Sequence, residues 1–173
     1  RPSAQEACKL TKNGRVGVVG TSASIRSNSY GRTISGLRPE VQVFGNACPL
    51  LVHVVENGLV QPDNQIARLS VEMYLKPLME EKIDTLILGC THYPLLRSRI
   101  MKYFGDSIHL VNPAYETAMD LKKILEEQNL ANDTENLTKY EFYVSDTAEK
   151  FKQFANSILP YNVETIQKIN IEE

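Results

Sequence analysis

The chain has 173 residues, of which 42% are hydrophobic and 23% charged, with a formal net charge of −2. That length suits one large domain, or one domain with part of another, and the apolar content is enough for a core. The charge balance excludes a global basic field that would recruit nucleic acid, and no apolar run approaches the ~18–20 residues of a membrane span.

In chain order, residues 16–19 (VGVV) form a short apolar run leaving through Gly20-Thr21-Ser22, the pattern of a buried strand and its exit loop. Residues 24–37 are polar and weakly periodic, and read as helix. Residues 41–44 read as a second strand. Pro49 opens an apolar helical run over 50–56, stopped by Asn57-Gly58. A longer helix follows Pro62-Asp63, with Ile66, Leu69, Met73 and Leu78 at roughly helical spacing, and Pro77 should end or kink it. Residues 83–88 read as the third strand, 94–104 as a helix with Leu95, Leu96, Ile100 and Phe104 on or near one face, and 108–111 as the fourth strand.

Residues 113–128 read as a strong helix with Ala114, Ala118, Leu121 and Leu125 on its apolar side. Residues 129–138 are polar and read as a loop, 140–144 as a strand, 146–158 as a helix capped by Ser145 or Asp146, and 163–169 as a final strand. Alternation of strands and helices throughout predicts an α/β fold, a parallel-sheet sandwich. No repeat or low-complexity segment interrupts it.

Ligands in open parallel sheets bind beyond the carboxyl ends of the strands. Gly20-Thr21-Ser22 and Gly89-Cys90-Thr91-His92 both fall at that edge, so two exits offer small residues and hydroxyls to one crevice. Gly89 lets backbone approach a ligand, and Thr91 with the N–H groups ahead of a helix at Pro94 suits a carboxylate. A thiolate at Cys90 would be favoured near such a terminus. It could attack a carbonyl, bind a metal or take a proton, or the thiol could be inert packing.

His92 reads as a general acid, an orienting partner for Cys90, or a helix-start residue with no chemistry. His53 and His109 read as structural. Cys48 reads as packing at a strand-to-helix turn, and Cys8 lies outside the ordered pattern. Glu56, acidic at the end of an apolar segment, either faces water or supplies charge near the site. Three cysteines so spaced argue against a disulfide framework and a CxxC metal site, and a reducing cytoplasm is the simplest compartment. The glycines of residues 14–20 make no GxGxxG fingerprint, so a nicotinamide cofactor is not expected.

Gly-Cys-Thr-His-Tyr-Pro-Leu-Leu at 89–96 resembles the second cysteine motif of the glutamate racemases. Gly17-Val18-Val19-Gly20-Thr21 is similar to that family's strand and GT loop, and Ala47-Cys48-Pro49-Leu50 with Val55-Glu56 to its ACP segment and following glutamate. Asp84-Thr85-Leu86-Ile87-Leu88, Glu116-Thr117-Ala118 and Phe142-Tyr143-Val144-Ser145-Asp146 fit later segments in the same order. The looser GCT motif is shared with aspartate racemase relatives, which usually carry an acidic residue where this chain has His92.

The resemblance implies cofactor-independent interconversion of L- and D-glutamate, supplying D-glutamate for peptidoglycan, by a cytoplasmic enzyme that is a homodimer at full length. It implies two α/β domains and two cysteines acting on opposite faces of the substrate α-carbon. Carried over, Cys90 is one of that pair, Thr91 and His92 contact substrate or assist proton transfer, and Thr21 and Ser24 lie near the ligand. Relatives often have Thr where this chain has Ser24. The family's first cysteine loop and early Asp-Ser segment have no counterpart here, so the chain looks like the C-terminal two-thirds of a racemase. The expected organisation is a complete domain over 4–111 and a segment over 112–173 that returns to the other domain. Such a fragment is expected to be inactive alone. The alternatives are an aspartate-type racemase, against which His92 and Tyr93 argue, and a non-catalytic domain that binds a small acid. A Cys-His hydrolase lacks an evident orienting Asn or Asp.

Overall fold

The computed structural model describes residues 1–61, 63–132 and 139–170. Its first compact unit spans Arg1–Ala131 and its second Asn132–Glu173. In the first, four strands form one parallel sheet in the order β2-β1-β3-β4: β1 is Arg15–Gly20, β2 Gln42–Ala47, β3 Thr85–Gly89 and β4 His109–Val111. The central strands are buried almost throughout, which explains why they read as continuous apolar runs.

Helices α1 (Pro2–Leu10), α2 (Ser22–Ser27), α3 (Ser29–Leu37), α4 (Pro49–Glu56), α5 (Gln65–Glu80), α6 (Arg97–Phe104) and α7 (Pro113–Glu127) surround the sheet. On one face, Ala4, Ala7 and Cys8 of α1 and Ile34 of α3 pack with Val16, Val18, Ile87 and Val111. On the other, a Cβ on Gly17 would collide with Ile83 and Leu86, with Leu78 of α5 just beyond. Ile83 and Leu86 fill the space that a side chain at position 17 would need.

At the amino edge, opposite the expected site, the Asp84 carboxylate accepts from Thr11 Oγ1 at 2.7 Å, Thr85 Oγ1 at 3.0 Å, and the backbone N–H groups of Lys12 and Asn13 at 2.7 and 2.8 Å. Burial alone would raise its pKa, but these four donors outweigh that and hold the carboxyl below its ordinary range.

Several local expectations are corrected. Cys8, read as lying outside the ordered pattern, sits in α1 and belongs to the core. The single helix over 24–37 is two, broken at Asn28, whose backbone is left-handed at φ 47°. In α5 the buried stripe is Ala67, Val71, Leu75 and Leu78, spaced by four and three residues, while Ile66, Leu69 and Met73 are more than half exposed. Of the expected stripe only Leu78 is buried, and the smaller Ala67 and Val71 face the core with it and Leu75. Pro77 does not end α5, which runs on to Glu80. Proline so near a C-terminus removes one hydrogen bond with little helix left to disrupt.

No residue of α7 is buried, and Leu121 of its expected inner face is 54% exposed. Within this unit α7 packs mainly on α1, too narrow a support for a broad apolar stripe.

In the second unit, β5 (Tyr143–Val144) and β6 (Gln167–Lys168) pair in parallel beside α8 (Ala148–Ile158). Both strands are shorter than their apolar patterns suggest. Thr147, not Ser145 or Asp146, precedes α8, without a capping side-chain bond. Ala155 and Val163 are buried, and Asn156 Oδ1 accepts the Val163 N–H at 2.7 Å. Of the loop expected over 129–138, residues 133–138 lie outside the described residues.

Candidate active site

The parallel register places Ala47, Gly20 and Gly89 at one level across β2, β1 and β3. Cys48, Thr21 and Cys90 are therefore the first residues beyond the sheet on three adjacent strands. The chain moves from β1 to β2 on one side and returns to β3 on the other, so strand order reverses beside β1. A crevice outside the carboxyl ends at such a reversal is where open α/β sheets bind ligands. Gly89 makes this edge possible: a Cβ there would lie 2.8 Å from the Val19 carbonyl oxygen and 3.2 Å from the Tyr30 ring.

Thr21 ends the β1 exit in an extended conformation and caps α2, its Oγ1 accepting the Ser24 N–H at 3.2 Å. The same oxygen lies 3.0 Å from Ser24 Oγ, so the two hydroxyls form one polar pair. After β3 the chain turns sharply: the Cys90 N–H donates to the Leu88 carbonyl at 2.9 Å, and the Tyr93 N–H to the Cys90 carbonyl at 3.3 Å.

Tyr93 anchors this turn. Its ring is fully buried and its O–H donates to the Cys48 carbonyl at 2.8 Å, joining the β3 exit to the β2 exit. Burial, followed by nearby Cys48, Cys90 and Tyr74, raises the phenol pKa strongly, so the group stays a neutral donor. This role was not foreseen, although an aromatic residue directly before Pro94 was visible in the sequence. Tyr74 is a second unforeseen brace: its carbonyl accepts from Asn46 Nδ2 at 2.6 Å and its O–H from the Leu50 N–H at 3.4 Å.

The turn brings Cys90 and His92 together despite their separation of two. Cys90 Sγ lies 3.5 Å from His92 Nδ1, and His92 Nε2 lies 3.1 Å from Glu56 Oε1 at the end of α4. An ionised carboxylate only accepts, so Nε2 carries hydrogen toward Glu56, and Nδ1 faces the thiol as acceptor or, when protonated, as donor. Sulfur, imidazole and carboxylate thus form a relay from a half-buried thiol to an exposed acid. The orienting acid that a Cys-His pair needs is Glu56, 36 residues away and assignable only once α4 was placed against the turn. Thr91 is exposed beside them.

Two expectations fail here. Residues 93–96 form a 3-10 turn and the α-helix begins at Arg97, so no α-helix N-terminus adjoins Cys90 and Thr91. Helix-terminus charge fades within about a turn and cannot be assigned to either. His53 and His109, read as structural, have exposed side chains. Cys48 is packing, as expected: it is fully buried, its S–H faces the Asn46 carbonyl at 3.5 Å, and desolvation pushes its pKa up to about 12.

Among the described residues no three His, Cys, Asp or Glu side chains gather as a metal site, and no helix is long and apolar enough to cross a membrane. Taken alone, a Cys–His–Glu relay suits either proton transfer or nucleophilic thiol chemistry.

Comparison with known proteins gives the family. The Asp/Glu/Hydantoin racemase family model matches residues 1–119. The chain is 39% identical over 168 residues to the glutamate racemase of Syntrophus aciditrophicus, and 39% identical over 171 residues to that of Geobacter metallireducens. These alignments cover 97% and 99% of this chain but only 62% and 63% of those proteins, so the chain spans less than two-thirds of their length. Among solved structures, a glutamate racemase isoform of Bacillus anthracis superposes with a TM-score of 0.91 at 38% identity, over 98% of this chain and 62% of that one. The Francisella tularensis glutamate racemase, solved with D-glutamate, superposes with a TM-score of 0.84 at 32% identity, over 97% and 62% of the two chains. With the family model covering more than half of its residues and the fold matching closely, the chain belongs to the Asp/Glu/hydantoin racemase family.

Proposed function

We propose that this chain carries one of the two proton-transfer faces of a cofactor-independent glutamate racemase. The observation that carries the reading is the Cys90–His92–Glu56 relay beyond β3, at the same sheet edge as the Thr21–Ser24 hydroxyl pair. Cys90 as thiolate takes the α-proton, the C–H electron pair stays on the α-carbon, and a thiol on the opposite face supplies a proton there. The reaction leaves Cys90 as thiol and its counterpart as thiolate. His92 accepts and returns the Cys90 proton through Nδ1, and Glu56 steadies the imidazolium. Thr21, Ser24 and Thr91 offer hydroxyls to the substrate carboxylates and amine.

The opposing thiol is not Cys48, which is buried and holds its proton, nor Cys8, which lies in the core. We place it in the length that relatives have and this chain does not. Residues 4–111 then form the domain bearing Cys90, and residues 112–173 return toward the domain bearing the other cysteine. The exposed apolar side of α7 supports that reading. The same reading makes the complete protein a cytoplasmic homodimer that supplies D-glutamate to peptidoglycan and cell shape. Three unpaired thiols favour a reducing compartment.

The test is circular dichroism or tritium exchange with L- and D-glutamate. The 173-residue chain alone is expected to give negligible racemisation, and normal turnover by it would refute the assignment. L- and D-aspartate as parallel substrates separate the glutamate reading from the aspartate reading, which His92 and Tyr93 disfavour.

A further inference from the structure

α5 and α6 flank a cavity of about 330 Å³. That is the size of a small-molecule site. Its lining includes Arg68 and Glu72 of α5, Arg99, Lys102 and Tyr103 of α6, and Asp63 before α5. Three cations thus face two carboxylates, and one of those, Glu72, is engaged by Arg68 at 3.1 Å.

Arg99 is the unusual member. It is only 8% exposed, and its Nη2 donates to the neutral carbonyl of Gln61. Its Nε is buried without a hydrogen-bond partner, and among the described residues no carboxylate lies within ion-pair distance of the guanidinium. A buried charge in that state is costly unless an anion answers it. Lys102 stands one turn along the same helix, on the same face. A guanidinium with an ammonium beside it, and a phenol within reach, is a set of donors for an oxyanion.

We propose that this cleft, whose lining shares no residue with the Cys90–His92–Glu56 relay, binds the oxyanion of a small phosphorylated or carboxylate metabolite. Phosphoryl and carboxylate groups share the chemistry that Arg99 and Lys102 recognise. The anion would answer the Arg99 charge while Nη2 keeps its contact with the Gln61 carbonyl.

Amide NMR and calorimetry on the 173-residue chain, in physiological salt, test this with inorganic phosphate and acetate as separate probes. Saturable binding should perturb residues 68, 99, 102 and 103. Lys102→Ala should weaken it about tenfold or more, as loss of a charge-assisted hydrogen bond implies. Binding by phosphate alone identifies a phosphoryl ligand, and by acetate alone a carboxylate one. Arg99→Met should abolish binding while leaving the fold as stable as before or more so, because an unanswered buried charge has been removed. Should that variant fail to fold, Lys102→Ala still decides. Cys90→Ser should bind both probes as the unaltered chain does, so the result stands apart from the racemase reading. No saturable binding, or binding unchanged in Lys102→Ala, would overturn the proposal.

Discussion

Replacing Gly89 by alanine tests whether the sheet edge is built as described. The added Cβ would sit 2.8 Å from the Val19 carbonyl oxygen, 3.2 Å from Tyr30 Cε2 and 3.7 Å from Val18 Cγ1. The Tyr30 ring can tilt away, but Val19 belongs to β1, held between β2 and β3 along its length. Backbone must shift, and overpacking of this kind costs about 1–3 kcal/mol. For a urea dependence of about 2 kcal/mol per molar, the unfolding midpoint should fall by about 0.5–1.5 M. Gly36→Ala is the control: it lies in α3 with nothing within 4 Å of the new methyl group, and helical alanine should stabilise by about 0.5–1 kcal/mol. Far-UV circular dichroism through a urea titration reads both. If Gly89→Ala unfolds at the same urea concentration as the unaltered chain, the close contact of β3 with β1 is wrong, and the placement of Cys90 falls with it.

Asp84→Asn should lose about 1–2 kcal/mol at pH 7, since an amide cannot accept all four hydrogen bonds. The folded pKa of Asp84 is depressed, so its stabilisation is full above the unfolded value near ~4 and is lost as pH falls through the folded one. The stability gap between the two proteins should narrow below about pH 4, and a gap independent of pH would contradict the account. Iodoacetamide at pH 8 should label Cys90 in the folded chain and spare Cys8 and Cys48, with all three labelled in urea. At that pH a thiol with a pKa of about 12 is ionised to about one part in ten thousand, and intact mass showing early labelling of Cys48 would count against its burial. Tyr93→Phe leaves the Cys48 carbonyl without its donor and should cost about 1–3 kcal/mol in the same urea titration, where an unchanged midpoint would remove Tyr93 as an anchor.

The strands were legible because parallel strands covered on both faces leave uninterrupted apolar runs, as residues 16–19 and 85–88 do. Helix faces were harder. In α5, Ile66 and Met73 satisfy the same spacing rule as Ala67 and Val71, and only the sheet beneath decides which pair is covered. α1 escaped notice because its buried residues are Ser3, Ala4, Ala7 and Cys8, small side chains that leave little apolar signal. At the site, Cys90, His92 and Thr21 could be named from local motifs. The contact between Glu56 and His92 could not, because it joins the end of α4 to a turn after β3. Tyr93 was hidden by chemistry: a phenol reads as surface or site, and here it is a buried pin.

The most direct test is α-hydrogen exchange by a protein in which this sequence is joined to the N-terminal part of a glutamate racemase relative, with and without Cys90→Ser. In D2O the account predicts that the substitution lowers racemisation and α-deuterium incorporation by about 10²-fold or more while glutamate still binds. Turnover within a few-fold of the unsubstituted protein would show that the sulfur at position 90 does not move the proton.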